Sequence, residues 1–163
     1  MQVKINKKYE TIPAALMVMI MVVIIYSGSM KNNFVDWDDY AYVVDNKLVR
    51  GHGENVMKEI FSTPVSLNYH PVTILSLRMN NNECKTCPEG ISPKPFITGN
   101  IILHILNSLL VLLLIYQLAG RNIIASLLVA LIFAVHPMHV ESVAWISERK
   151  DLLSGCFWFL SIW

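Results

Sequence analysis

Charge is scarce in this chain. Lys, Arg, Asp and Glu make up 15% of its 163 residues, hydrophobic residues make up 54%, and the mean hydropathy is +0.46. Soluble domains carry about 25% charged residues, so a soluble enzyme, a disordered tail and a soluble nucleic-acid module all fit poorly. A net charge of +1 leaves no bulk field to hold DNA or RNA. Three cysteines are too few for a disulfide scaffold. No internal repeat is visible.

The charge that is present falls in clusters. Lys4, Lys7, Lys8 and Glu10 stand at the start, and residues 11–30 carry none. A second group fills 31–94, Arg121 is the only charge in 95–140, and Glu141, Glu148, Arg149, Lys150 and Asp151 close the series. A bilayer core takes roughly 20 mostly apolar residues in a helix. The runs 12–30, 96–118 and 122–140 therefore predict three transmembrane helices, the last two joined by a tight turn at Gly120 and Arg121. A fourth apolar run, 152–163, is too short to span and reads as the start of a fourth helix in a longer polypeptide. The first run has a basic start and Ser27-Gly28-Ser29, as a signal peptide would. It is long for a signal h-region, and Ser-Gly-Ser is a poor cleavage site.

Orientation follows from the positive-inside rule. Three lysines before the first helix place the N-terminus in the cytoplasm. Segment 31–95 is then external, Arg121 returns inside, and 141–151 is external again. Short loops and the lack of a eukaryotic targeting signal point to a bacterial inner membrane with 31–95 in the periplasm. In that segment Phe34, Trp37, Tyr40, Tyr42, Val43 and Val44 suffice for a small packed unit or an interfacial helix. Gly51-His52-Gly53 signals a turn, and Asn80-Asn81-Asn82 with Pro88, Gly90, Pro93 and Pro95 reads as irregular chain.

Three constellations carry chemistry. Asp36-Trp37-Asp38-Asp39-Tyr40 puts three carboxylates beside two aromatics just past the first helix. A carboxylate poised there suits general-base work; the alternative is an acidic capping turn. Asn100, His104 and Asn107, flanked by Ser108, lie at i, i+4 and i+7, on one face at about 100° per residue. Polar groups at membrane depth face other protein or a wet cavity, so this face makes interhelical hydrogen bonds or walls a polar cavity. His136, His139 and Glu141 are metal-ligand types, but their spacing is not that of a zincin and Pro137 interrupts the face, so no metal is expected. Glu141, Trp145 and Glu148 recur at i, i+4 and i+7 and predict a short amphipathic helix in the interface. Arg149 and Lys150 then stand where they can hold a phosphate, or simply snorkel. His70-Pro71 reads as a turn into an apolar segment, Cys84-x-x-Cys87 as a disulfide or half a metal site, and Cys156 as a helix- or lipid-facing residue.

Together these pieces resemble the transmembrane and tetratricopeptide-repeat proteins and their bacterial relatives, whose animal members are protein O-mannosyltransferases of the GT-C superfamily. The resemblance runs through 33–46 (NFVDWDDYAYVVDN), 70–76 (HPVTILS), 100–107 (NIILHILN) and above all 136–154 (HPMHVESVAWISERKDLLS). It implies an all-α integral membrane protein, the N-terminal part of a multi-helix bundle with a long first external loop. The donor it implies is a sugar on a polyprenyl phosphate, with no further cofactor and no metal. The acceptor is a hydroxyl on protein or glycan, the other partner is the bilayer, and nucleic acid is not one. By that match Asp38 or Asp39 takes the acceptor's proton and the anomeric carbon inverts. Arg149, with Lys150 or His139, neutralises the leaving phosphate. His136, Glu141, His70, Asn100, His104 and Asn107 fall on motif positions without an assigned role. Segment 78–94 departs from the family pattern. Family members have many more helices and often a C-terminal repeat domain, so a fragment inactive by itself is expected. The alternatives are a non-catalytic scaffold with downstream repeats, a transporter component using the Asn100–His104–Asn107 face, and a small accessory subunit complete at 163 residues.

Overall fold

The computed structural model describes residues 10–51 and 53–162. Lys4, Lys7 and Lys8 of the basic start, and His52 of the Gly51–Gly53 turn, lie outside the described residues. About 70% of the chain is helix, with no strand among the described residues. Helix α1 (Thr11–Tyr26) runs on through a 3-10 turn (Ser27–Lys31), and α5 covers Lys94–Leu118. These two are long and apolar enough to cross a membrane, as expected for 12–30 and 96–118. The protein is an all-helical membrane protein.

The third apolar run folds differently from expectation. Helix α6 is Ile123–Val135, 13 residues, rather than 122–140. At about 1.5 Å per residue it is roughly 20 Å long, short of the ~30 Å hydrocarbon core. His136 is extended (φ −64°, ψ 129°) because a residue before proline is driven out of the helical region. A new helix, α7 (His139–Ala144), starts after Pro137 and stops at Trp145, which is again extended (φ −103°, ψ 126°). A 3-10 turn (Ile146–Glu148) leads into α8 (Arg149–Ser161). The single interfacial helix expected through Glu141, Trp145 and Glu148 is thus replaced by two pieces broken at Trp145. The fourth apolar helix begins at Arg149, ahead of the expected residue 152.

Segment 31–95 is a small packed unit. A π turn (Tyr40–Val44) precedes α2 (Lys47–Arg50), α3 (Val56–Ile60) and α4 (Pro71–Met79). Asn46 caps α2 by accepting the Leu48 N–H at 2.8 Å. Pro71 opens α4, where its missing N–H costs nothing. Tyr42, Val43, Val44, Leu48, Val49, Ile60, Ile74 and Leu77 form the buried interior. Arg78 donates to the Leu48 carbonyl at 2.9 Å and ties α4 to α2. Cys84 and Cys87 form a disulfide, which decides between the two readings of that pair.

Helix α5 is central and packs on α1, α6 and α8. Helix α1 is apolar all round but buries one seam, Ala14, Val18, Val22 and Tyr26, four residues apart. Its other faces carry Leu16, Ile20 and Ile24 exposed, as lipid contact requires. Helix α6 buries Ser126, Ala130 and Ala134 at the same spacing, and small residues let it sit close against α1 and α5. After α5, Gly120 and Arg121 both have positive φ (61° and 66°), and the Arg121 N–H reaches the Tyr116 carbonyl at 2.8 Å. This is a Schellman-type stop. We expect Ala130→Leu to overpack the α1–α5–α6 seam and cost about 1–3 kcal/mol. Ile132→Leu on the exposed face should change stability by no more than about 0.5 kcal/mol. Thermal unfolding in detergent micelles measures both.

Candidate functional site

The two adjacent aspartates have separate fates. Asp39 is fully buried and accepts hydrogen bonds from the Val35 N–H at 2.9 Å, the Ser147 N–H at 3.0 Å and the Ser147 hydroxyl. It pins segment 31–95 to the turn before α8. Asp38, one residue earlier, keeps part of its surface in solvent.

Arg149 and Lys150 divide in the same way. Arg149 is 1% exposed. Its Nε donates to Asn100 Oδ1 at 2.7 Å, Nη1 to the Ser76 carbonyl at 2.9 Å and Asn80 Oδ1 at 2.6 Å, and Nη2 to the Phe96 carbonyl at 2.6 Å. Gly99 leaves room for this plane: a Cβ there would lie 2.7 Å from Nη2. Burial lowers the Arg149 pKa to about 10. A donor phosphate would have to displace these oxygens to reach the guanidinium. Lys150, by contrast, is partly exposed, pairs with Glu148 at 2.9 Å and lies over the Tyr42 ring, 5.9 Å from its centroid. Burial alone lowers its pKa, but the Glu148 bond and charge, with the Tyr42 and Asp38 charges, hold it above its ordinary value.

Tyr42 also stacks on His70, with centroids 5.0 Å apart and planes 6° from parallel. Burial, then the Lys150 charge, lowers the His70 pKa. Of Asp38, His70 and Lys150, distant in sequence, the last two lie against one buried tyrosine, and the charge of Asp38 reaches Lys150, as does that of its ion-pair partner Glu148. Sequence reasoning singled out the first three separately. It missed the roles of Tyr42 and Ser147, for which residue type and spacing carried no signal.

The polar face of α5 makes interhelical hydrogen bonds. Asn100 Nδ2 donates to the Trp145 carbonyl at 3.0 Å, His104 Nε2 to the Ala134 carbonyl at 2.9 Å, and Asn107 Nδ2 to the Leu152 carbonyl at 2.9 Å. The same face also borders a cavity of about 260 Å³, which His139 shares. His139 packs on Phe133 and His104, with centroids 4.5 and 5.3 Å away, and burial followed by the His136 charge lowers its pKa. His136 and Glu141 are exposed, and no group of three metal-ligating side chains occurs among the described residues.

Replacing Asp39 by Ala leaves the buried Ser147 N–H and hydroxyl without this acceptor. We expect a loss of at least ~2 kcal/mol, read by thermal unfolding. His70 and His139 titrate below 6.5 when folded, so the unfolded chain binds more protons on acidification. Their contribution is complete above pH 6.5 and is lost as pH falls through the folded values. We expect the melting temperature to drop between pH 7.5 and 5, and His70→Gln or His139→Gln each to remove part of that slope.

No family model and no solved structure matches the chain. Among curated proteins it is 32% identical over 91% of its length to protein O-mannosyl-transferase TMTC4 of Homo sapiens. It is 32% identical over 83% to TMTC1 of Mus musculus, and 28% identical over 93% to Tmtc3 of Drosophila melanogaster. It spans 22%, 14% and 19% of those proteins' length. With the motif resemblance at 33–46, 70–76, 100–107 and 136–154, this alignment identifies the chain as homologous to a segment of the TMTC-type protein O-mannosyltransferase family.

Proposed function

We propose that this chain is part of a GT-C glycosyltransferase moving a mannose-like sugar from a polyprenyl phosphate to a hydroxyl, that of Ser or Thr in a protein. The observation that carries the reading is Lys150 set over the Tyr42 ring that stacks on His70, within reach of the Asp38 charge. A base and a phosphate-binding cation on one face are what such a transfer needs.

Asp38 is the base, because the Asp39 carboxylate is closed in by its three donors. Asp38 takes the acceptor's proton as the hydroxyl oxygen attacks the anomeric carbon. The bond from that carbon to the phosphate oxygen breaks, polyprenyl phosphate leaves, and the carbon inverts. Lys150 balances the charge on the leaving phosphate. Arg149 acts one step back, fixing the start of α8 on which Lys150 stands. The chemistry takes place on the non-cytoplasmic side, periplasmic in a bacterial inner membrane and lumenal in an animal cell. The Cys84–Cys87 disulfide supports an oxidising compartment there.

A second reading, a non-catalytic scaffold of the same family, is favoured by the commitment of Asp39 and Arg149 to packing. The two readings separate in one experiment on the protein in its native membranes. Under the catalytic reading, Asp38→Asn lowers sugar transfer about 10²–10⁴-fold with the melting temperature unchanged, and Lys150→Ala lowers it too. Transfer that survives both changes leaves the scaffold.

A further inference from the structure

Helix α5 is a ruler for depth in the bilayer. A hydrocarbon core of ~30 Å takes roughly 20 helical residues, so counted back from Leu118, the last residue of α5, it closes near Gly99. Asn100 holds the Trp145 carbonyl and His104 holds the Ala134 carbonyl. The chain from the end of α6 to Trp145, with all of α7, therefore runs between these two levels, at the edge of the core on the side of segment 31–95.

Glu141 on α7 is exposed at this depth, and its carboxylate has no cation within ion-pair reach among the described residues. A charge at the edge of hydrocarbon is costly unless it is paired. Beside it, α7 and residues 32–37 enclose an open groove of about 410 Å³ whose apolar walls include Val35, Trp37, Val140 and Trp145. Val35, Trp37 and Val140 are 45%, 76% and 47% exposed. In the chain, exposed Ile132 and Val135 at the end of α6 lead through exposed Met138 to Val140, so the groove continues the surface that faces lipid. Asn32 also lines it; its Nδ2 donates to the Ala144 carbonyl at 3.5 Å, which leaves Oδ1 as an acceptor.

The polar lining of the groove thus offers acceptors and no Lys or Arg. Such a rim repels a bare phosphate and receives an ammonium, whose N–H groups can donate to both acceptors. We propose that the groove seats a bilayer phospholipid with a primary ammonium headgroup, phosphatidylethanolamine. Its ammonium donates to Glu141 and Asn32 Oδ1, and one acyl chain lies along Val35, Trp37 and Val140. Phosphatidylcholine carries the same charges but has no N–H to donate, and phosphatidylglycerol has no cation. The site is distinct in chemistry from the Lys150 cluster, which presents a cation.

The protein is reconstituted in lipid nanodiscs holding phosphatidylethanolamine, phosphatidylcholine and phosphatidylglycerol in equal parts, and the lipid it retains on release is identified by native mass spectrometry. We expect one phosphatidylethanolamine per chain, retained about tenfold over either other lipid. Glu141→Gln should erase that preference, while Glu54→Gln, at an exposed carboxylate outside the groove, keeps it. A second reading needs no change at Glu141, should that variant not fold. Bromine on the acyl chain of phosphatidylethanolamine should quench Trp37 emission, taken as the difference from Trp37→Phe, more than the same bromine on phosphatidylcholine. Equal retention of the three lipids, a preference for phosphatidylglycerol, displacement of the retained lipid by added polyprenyl phosphate, or a preference unchanged in Glu141→Gln would overturn the proposal. So would equal quenching by the two brominated lipids, or a doubled mass with no retained lipid, the groove then holding a second copy of the chain.

Discussion

A guanidinium buried without a carboxylate is the constraint on which the packing of segment 31–95 against α5 and α8 is built. Taking an ion out of water costs several kcal/mol even after relaxation. Arg149 remains charged at neutral pH with its pKa near 10, and the ion pair found among the described residues belongs to Lys150 and Glu148 instead. The offset comes from four neutral oxygens, each supplied by a different residue: Asn100 and Phe96 on α5, Ser76 on α4, and Asn80 just after it. None of these oxygens is useful to the cation unless α4, the Asn80 turn, α5 and α8 are all in place. The cation therefore makes their assembly cooperative, and the flat approach over Gly99 is the space it needs.

Asp39 performs the mirror task for the opposite charge. It is buried with three donors, two of them from Ser147, two residues before Arg149. The two ions are not paired with each other, yet both act on the same break between α7 and α8. One holds segment 31–95 from residue 39, the other from residues 76 and 80. The π turn that carries Tyr42 lies between these anchors in sequence, as does His70. Rigid anchors on buried charges thus leave their sequence neighbours, Asp38 and Lys150, in solvent contact with their positions fixed. This is how preorganised polar sites are supported in general.

Much of this was legible from residues alone. The charge-free runs located α1 and α5 to within a few residues, since nothing else keeps twenty positions apolar. The spacing of Asn100, His104 and Asn107 placed them on one face. The Asp38–Asp39 and Arg149–Lys150 pairs were found, but not which member of each is buried. Adjacent identical or like-charged residues differ only in which way the local backbone turns them, and the turns at 40–44 and 146–148 are set by distant partners. The break at Trp145 was invisible for the same reason. Periodicity favours a helix through Glu141, Trp145 and Glu148, and tertiary bonds from Asn100 and Asp39 override it.

Those overriding bonds follow a pattern along α5. Asn100 meets the carbonyl of Trp145, at the break between α7 and the turn. His104 meets the carbonyl of Ala134, in the last turn of α6, and Asn107 meets that of Leu152, in the first turn of α8. The last carbonyls of a helix have no partner within it, and in a low-dielectric environment an unpaired carbonyl is expensive. Asn100 and His104 therefore stabilise an interruption and an end in neighbouring helices that would otherwise be unfavourable, while Asn107 adds a second donor to a carbonyl within α8 and ties that helix to α5. Read in this way, the polar face of α5 specifies where its neighbours bend. The short α6 and the divided segment before α8 are consequences of α5 as much as of Pro137.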